Sequence, residues 1–204
     1  MNAKRTSFFA ASQESLCLAF ANTLYWRGGS SPTETLQRLE DLLRWATEAG
    51  SVAPELVRAC RAAWQPNQAD TRFAEAIVLR EVIYRLFAAT AANSRLPKPD
   101  LAALNEALRA GPPRSHLSVA ETQCRWRIDA SKVTLAILLA PVVWSAGDLL
   151  VGPCLARVRA CANERCHQLF LDDSKSGNRR WCTMSSCGNR AKAHRHYLKH
   201  RKAD

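Results

Sequence analysis

Four cysteines near the end of the chain carry its clearest chemistry, in the pattern Cys161-x4-Cys166-x15-Cys182-x4-Cys187. Two local pairs of soft ligands around a short polar insert are how a single chain closes a tetrahedron on zinc. The set predicts one structural Zn2+ held by Cys161, Cys166, Cys182 and Cys187. A catalytic zinc would have three protein ligands and an open position for water, and four cysteines close the site. His167, His196 and His200 lie close by in the sequence, but the cysteine set is complete without them. They are read as facing phosphate or solvent. Thiolates around a dication leave negative charge to be offset. Arg180 and Arg190 are placed for that role, and Gly188 for close backbone approach.

The cysteines are followed at once by Arg190, Lys192, Arg195, Lys199, Arg201 and Lys202. Residues 151–204 hold 12 Lys/Arg against 4 Asp/Glu, while residues 1–150 hold 17 against 14. The formal charge of +11 therefore belongs mainly to the cysteine-bearing tail. A basic, metal-stapled knob suits a polyanionic partner. The last helix is expected over 185–202, with Arg195, Lys199 and Lys202 in one sector, extended by Lys192 and His196. Tyr197 and Leu198 are expected to pack back onto the finger. Such cations contact phosphate, whereas reading sequence needs Arg or Asn at base edges, for which Asn189, Arg190 and Arg195 are candidates. Arg179 and Arg180 would flank the same strand. The nucleic-acid set is thus Arg179, Arg180, Asn189, Arg190, Lys192, Arg195, Lys199, Arg201 and Lys202, and the expected partner is double-stranded DNA. A single small finger binds weakly, so a homodimer through the N-terminal part is expected. A structured-RNA-binding or protein-interaction module is the alternative.

The elements that position this tail read as a helical domain over 1–152 followed by a zinc finger over 153–204. A hydrophobic content of 47% supports a packed core. Leu16, Ala19, Phe20, Thr23 and Leu24 recur at helical spacing, and Trp26-Arg27-Gly28-Gly29-Ser30 breaks that helix. Ser31, Pro32 and Glu34 predict the next helix start, and Gly50 its end. Pro54 opens a third helix, a fourth spans roughly 70–92, and a fifth carries Leu101, Leu104 and Leu108. Alternation then predicts a β-hairpin near 115–129, before an apolar helix near 131–150 that Pro141 could bend. Within the finger, Leu169-Phe170-Leu171 and Arg179-Arg180-Trp181 read as two strands around a polar turn. The fold class is mainly α with a small β-hairpin (α+β), ending in a treble-clef-like zinc finger.

Cys17, Cys60, Cys124 and Cys154 sit singly in apolar stretches and read as small core hydrophobes. With no secretory leader pattern over residues 1–27, this suits a reducing, cytoplasmic setting. The apolar run 133–151 contains Pro141, Gly147 and Asp148, and its uninterrupted apolar part is too short to span a bilayer, so no membrane is expected. Asn22, Trp26, Arg27 and Trp144 could line an effector site for a small molecule, or else cap backbone and fill the core. No nucleophile–base pair, phosphate-cradling glycine loop or His-Glu-x-x-His motif is present, so the chain is not expected to be an enzyme.

Cys161-x4-Cys166, Leu169-Phe170-Leu171-Asp172, Arg179-Arg180-Trp181-Cys182 and Cys187-Gly188-Asn189-Arg190-Ala191-Lys192 resemble the CGNR-type zinc finger. Upstream, Phe20-Ala21-Asn22-Thr23-Leu24, Asp41-Leu42-Leu43-Arg44-Trp45-Ala46, Leu79-Arg80-Glu81 and Pro141-Val142-Val143-Trp144-Ser145-Ala146 are similar to the ABATE domain. That pairing occurs in bacterial proteins described as stress-induced transcription regulators. The resemblance covers nearly the whole chain and implies a zinc-containing DNA-binding regulator, cytoplasmic and associated with the nucleoid.

Overall fold

The computed structural model describes residues 6–10, 15–120, 123–130 and 133–200. Side chains are described for these except at 6–10, 120, 123, 129, 130, 195, 196 and 198–200. Of the elements so described, α4 (Pro66–Ala91) is the longest helix and lies beside α1 (Leu16–Ala21), α2 (Leu39–Glu48), α5 (Lys98–Ala110) and α6 (Leu135–Val151). A short α3 (Pro54–Ala63) packs on α2. α4 places Ala76, Arg80, Ile83 and Phe87 in the interior at helical spacing. α6 is apolar almost all round and is buried accordingly, from Ile137 to Ala146. Its Thr134 hydroxyl caps the Ile137 N–H at 3.3 Å. The Ser145 hydroxyl accepts from the Cys17 N–H at 3.0 Å, stitching α6 to the start of α1. The core joins Leu16, Phe20, Leu42, Leu56, Ile83, Leu86, Leu104, Leu138 and Val142.

The hairpin is present as β4 (Leu117–Ala120) and β5 (Gln123–Ala130), with Leu117 opposite Trp126 and Val119 opposite Cys124. A further strand, β1 (Thr6–Ala10), adds antiparallel to the other edge of β5 and gives the order β1-β5-β4. β2 (Leu24–Tyr25) and β3 (Thr33–Glu34) form a two-stranded ladder, and β6 (Val158–Ala160) pairs with β7 (Leu169–Leu171). The result is α+β, helical with small antiparallel strand pairs.

Several boundaries differ from the sequence reading. The helix expected to start at Ser31-Pro32 begins at Leu39, because Thr33 and Glu34 are taken by β3 and the Glu34 carboxylate by buried Arg80, at 2.7 Å. Asp41 is the acid that reaches back, accepting from the N–H groups of Gln37 and Arg38 at 3.0 and 3.2 Å. The first helix stops at Ala21, since Leu24 belongs to β2. α4 starts at Pro66, four residues before the expected Asp70, using proline at the first helical position. Gly50 ends α2 with φ +62°, a left-handed stop that only glycine takes without penalty. Of the single cysteines, Cys17 and Cys60 are fully buried, Cys154 is half-buried and Cys124 is exposed, so the core reading fails at Cys124.

Candidate metal centre and nucleic-acid face

β6 and β7 flank a tight knuckle that carries the first cysteine pair. The Asn163 carbonyl accepts from the N–H groups of Cys166 at 2.7 Å and His167 at 3.4 Å, and the Cys161 N–H donates to the Gln168 carbonyl at 2.8 Å. The Asn163 side chain accepts from the Arg165 N–H at 3.0 Å and turns its amide toward the Cys187 sulfur at 3.6 Å. His167 takes φ +53° to close the turn. The second pair lies at the start of the last helix: Cys182 precedes, and Cys187 falls within, a π-turn (Met184–Gly188) that runs into α7 (Asn189–His200). A knuckle plus a helix N-terminus is the treble-clef-like arrangement. The expected strand at Arg179–Trp181 is not formed, because β7 pairs backward with β6 across the knuckle.

The four sulfurs converge within 4.8 Å of one another. Cys166 and Cys182 sulfurs are 3.7 Å apart, and those of Cys182 and Cys187 3.8 Å. Zinc–thiolate bonds of about 2.3 Å in a tetrahedron demand sulfur–sulfur edges of about 3.8 Å, so the donors fit one Zn2+. The surroundings suit the negative charge that the set would carry: N–H groups of Cys182 and Asn163 point to the Cys161 sulfur, and that of Gln168 to Cys166. Burial and then the Cys161 charge push the Cys182 thiol up to about 11, and Cys166 rises likewise by burial. For Cys161 burial acts upward, but the N–H donors together with the Cys182 and Cys187 thiols outweigh it and the thiol is lowered. Closely packed sulfurs cannot all ionise without a cation, which is the condition a zinc ion relieves.

Asp172, 1% exposed, organises the polar turn after β7. Its carboxylate accepts from the Ser174 hydroxyl at 2.5 Å and from the N–H groups of Ser174 and Arg179 at 3.0 and 2.9 Å. These bonds, the Ser174 hydroxyl foremost, hold its carboxyl below the usual range.

The sequence-derived nucleic-acid set divides. Arg179 is committed internally: Nε donates to the Trp181 carbonyl at 3.0 Å, Nη1 to Asp173 at 3.0 Å and Nη2 to the Cys182 carbonyl. Its guanidinium also lies 4.8 Å above the Phe170 ring. Arg180, Asn189, Arg190 and Lys192 are exposed. Arg180 lies over Trp181, and Arg190 over Trp26 at 4.5 Å. Arg195 and Lys199 fall on α7 with side chains outside the described set, and Arg201 and Lys202 lie outside the described residues. Tyr197, expected to pack inward, is 58% exposed.

Of the four effector candidates, Asn22 borders a groove with Leu18, Leu169 and Phe170 in which Trp26, Arg27 and Trp144 take no part. Trp144 is in the core, edge-on to Trp126 at 6.5 Å. Asn22 and Trp26 face the finger instead, and Arg27 stands behind them against Glu81 and Tyr84. The Asn22 side chain donates to the Leu169 carbonyl at 2.7 Å and accepts its N–H at 2.9 Å. Trp26 packs against the cysteine cluster itself. Arg27 clamps Glu81 at 2.7 and 3.0 Å and lies 3.8 Å above the Tyr84 ring, whose hydroxyl donates to the His167 carbonyl at 3.2 Å. Sequence reasoning missed Tyr84 and Gly28. A β-carbon at Gly28 would stand 1.9 Å from the Glu164 carbonyl, so this is the glycine that close approach requires. At Gly188 a β-carbon would meet chiefly the flexible end of Met184.

Among the described residues no helix is long and apolar enough to cross a membrane. Residues 157–200 match the CGNR zinc finger model. No curated protein matches the chain. Residues 14–153 match the ABATE model, described as "Putative stress-induced transcription regulator". With most of its length covered by that model and its four cysteines gathered on one point, the chain belongs to the ABATE family and carries a CGNR zinc finger.

Proposed function

We propose that the zinc-loaded finger binds duplex DNA and that the chain acts as a cytoplasmic, nucleoid-associated transcription regulator rather than an enzyme. One observation carries this reading: Arg180, Asn189, Arg190 and Lys192 are exposed on and beside the first turns of a helix that the cysteine cluster anchors, with no acidic residue in its first turn. Cations held on a rigid element contact phosphate without the entropy cost of ordering a free tail. Arg179 drops out of the contact set and serves to hold the loop between Phe170 and Cys182. A homodimer, presenting two fingers to one duplex, belongs to the same reading.

The test is duplex binding by the zinc-loaded chain across a salt series, beside Arg180→Ala and Lys192→Ala. Each variant is expected to weaken binding and to reduce the salt slope by about one phosphate's worth. Unchanged affinity and slope in both would overturn the assignment. A duplex RNA competitor that displaces the DNA would move the reading to structured RNA. Sedimentation in the same buffer reports the dimer. A fragment ending at residue 152 is not a clean control, because Val158 and Leu169 belong to the main core.

An effector-sensing role falls to the cleft between α4, α5 and α6 rather than to Asn22, Trp26, Arg27 and Trp144. That cleft holds about 450 Å3 and is lined mostly by aliphatic side chains, among them Val78, Leu79, Val82, Ala107 and Leu139. Ala107→Trp, which fills it, is expected to reduce binding of a hydrophobic reporter dye; undiminished binding would remove the cleft from consideration.

A further inference from the structure

The finger is not tethered beside the helical domain; it completes it. Val158 and Leu169, from the two strands of the knuckle, lie in the same core as Leu16, Phe20 and Leu86. In return the helical domain supplies part of the metal centre's wall. Trp26 packs on the cluster of Cys161, Cys166, Phe170 and Cys187. It does so with φ +56°, a left-handed backbone that a bulky side chain adopts only when its surroundings enforce it. The Asn22 amide takes both backbone groups of Leu169, three residues after Cys166, and the Tyr84 hydroxyl takes the carbonyl of His167, the residue next to Cys166. Gly28 lets the knuckle backbone approach where any β-carbon would collide. Behind these contacts stands a fixed chain of charges. Arg27 holds Glu81, Glu81 accepts from Arg80 at 2.9 Å, and Arg80 donates to Glu34 at 2.7 Å and Thr23 at 3.2 Å.

We infer that zinc binding and the order of the helical domain are one coupled equilibrium: the occupied zinc site stabilises α1 and α4, and the Asn22–Gly28 segment with Tyr84 sets the affinity of the cysteines for zinc. The contacts of Asn22, Trp26 and Tyr84, with the close approach at Gly28, hold the knuckle in the conformation in which the cysteines converge. Linkage then requires the effect in both directions, by the same factor. An independent finger on a passive tether would show it in neither. Neither direction involves nucleic acid, so this inference stands or falls apart from the DNA-binding proposal.

The experiment uses the full chain. Zinc affinity is measured by competition with a chromophoric chelator for the unaltered protein, Asn22→Ala and Gly28→Ala, with Arg58→Ala as a remote surface control. Asn22→Ala and Gly28→Ala are expected to weaken zinc binding about tenfold, within the range usual for coupled sites, and the control to leave it unchanged. If either fails to fold, Tyr84→Phe, which removes one hydroxyl, takes its place with a smaller loss expected. In the reverse direction, removing zinc from the unaltered chain is expected to speed amide hydrogen exchange in α1 and α4 about tenfold. Full zinc affinity in these variants, or α1 and α4 protection that survives zinc removal while the finger's is lost, would overturn the coupling.

Discussion

Phe20 and Cys187 are both sealed from water, yet different forces hold them. Phe20 is 0% exposed against Trp45, with ring centroids 5.0 Å apart, and its neighbours are apolar side chains from several helices. Cys187 is 1% exposed, in a cluster whose other buried members are Cys161, Cys166 and Phe170. The helical core is built from apolar side chains of many elements; the finger's own cluster is small, and units of that size need a staple. The difference shows where each region is vulnerable. The helical core fails by loss of volume, the finger by loss of a cation. The knuckle belongs to both regimes, with Leu169 in the main core and Cys166 in the metal cluster.

The largest expected effect separates the two regimes. Cys187→Ser removes a ligand, and structural zinc in small fingers contributes on the order of 10 kcal/mol or more of apparent folding free energy. Loss of stoichiometric zinc by elemental analysis, with loss of finger order, is expected; retained stoichiometric zinc would contradict the ligand assignment. Phe20→Ala should cost about 3–5 kcal/mol by chemical denaturation. Its loss is one of packed volume, whereas the Cys187 loss is restored by no amount of apolar repacking.

Arg80→Ala tests the charges between the regions. Arg80 is 2% exposed, and its removal leaves Glu34 with the Leu36 N–H and Glu81 with Arg27 alone. The carboxylates are 33% and 28% exposed and solvent screens them, so a cost of about 1–3 kcal/mol is expected, read from the urea midpoint. Burial alone would raise the Glu81 carboxyl, but Arg27 and Arg80 together lower it, so the acid is charged. A cost near zero would show that Arg27 alone satisfies Glu81.

What the sequence made legible was local. The cysteine spacing located the metal site because both pairs are set by short-range turns, and Gly50, Pro54 and the 117–130 hairpin announce themselves within a few residues. Long-range partners were hidden. Ser31-Pro32-x-Glu34 has the form of a helix start, but Glu34 is claimed by Arg80, 46 residues on. Asn22, Trp26 and Arg27 read in the sequence as effector-site candidates, yet the use of Asn22 depends on Leu169, 147 residues beyond it. β1 carries no signal that distinguishes it until β5 is there to pair with it. Arg179 looked like a phosphate contact because charge is visible in sequence and the carbonyls of Trp181 and Cys182 are not.

The smallest effect concerns the Arg114–Asp148 pair, which ties the segment before β4 to α6. Arg114 donates to Asp148 at 2.7 Å and holds its carboxyl below the ordinary value of 3.8, with burial acting against it. A depressed carboxyl contributes stability at pH above its unfolded value, and that contribution fades as pH falls through 3.8 toward the folded value. Because the two side chains are 29% and 40% exposed, solvent screening limits the contribution to roughly 0.2–1 kcal/mol. Zinc thiolates also protonate in acid, so the raw acid-unfolding curve mixes both regimes. The difference between Asp148→Asn and the unaltered chain cancels the zinc contribution, provided Asp148 is outside the coupled network. That difference is expected to be present at neutral pH, to shrink as pH falls through 3.8, and to vanish only below the depressed folded-state value, where Asp148 is protonated in both states. A difference that tracked zinc release instead would extend the coupling to α6, and with it the reach of the finger into the helical domain.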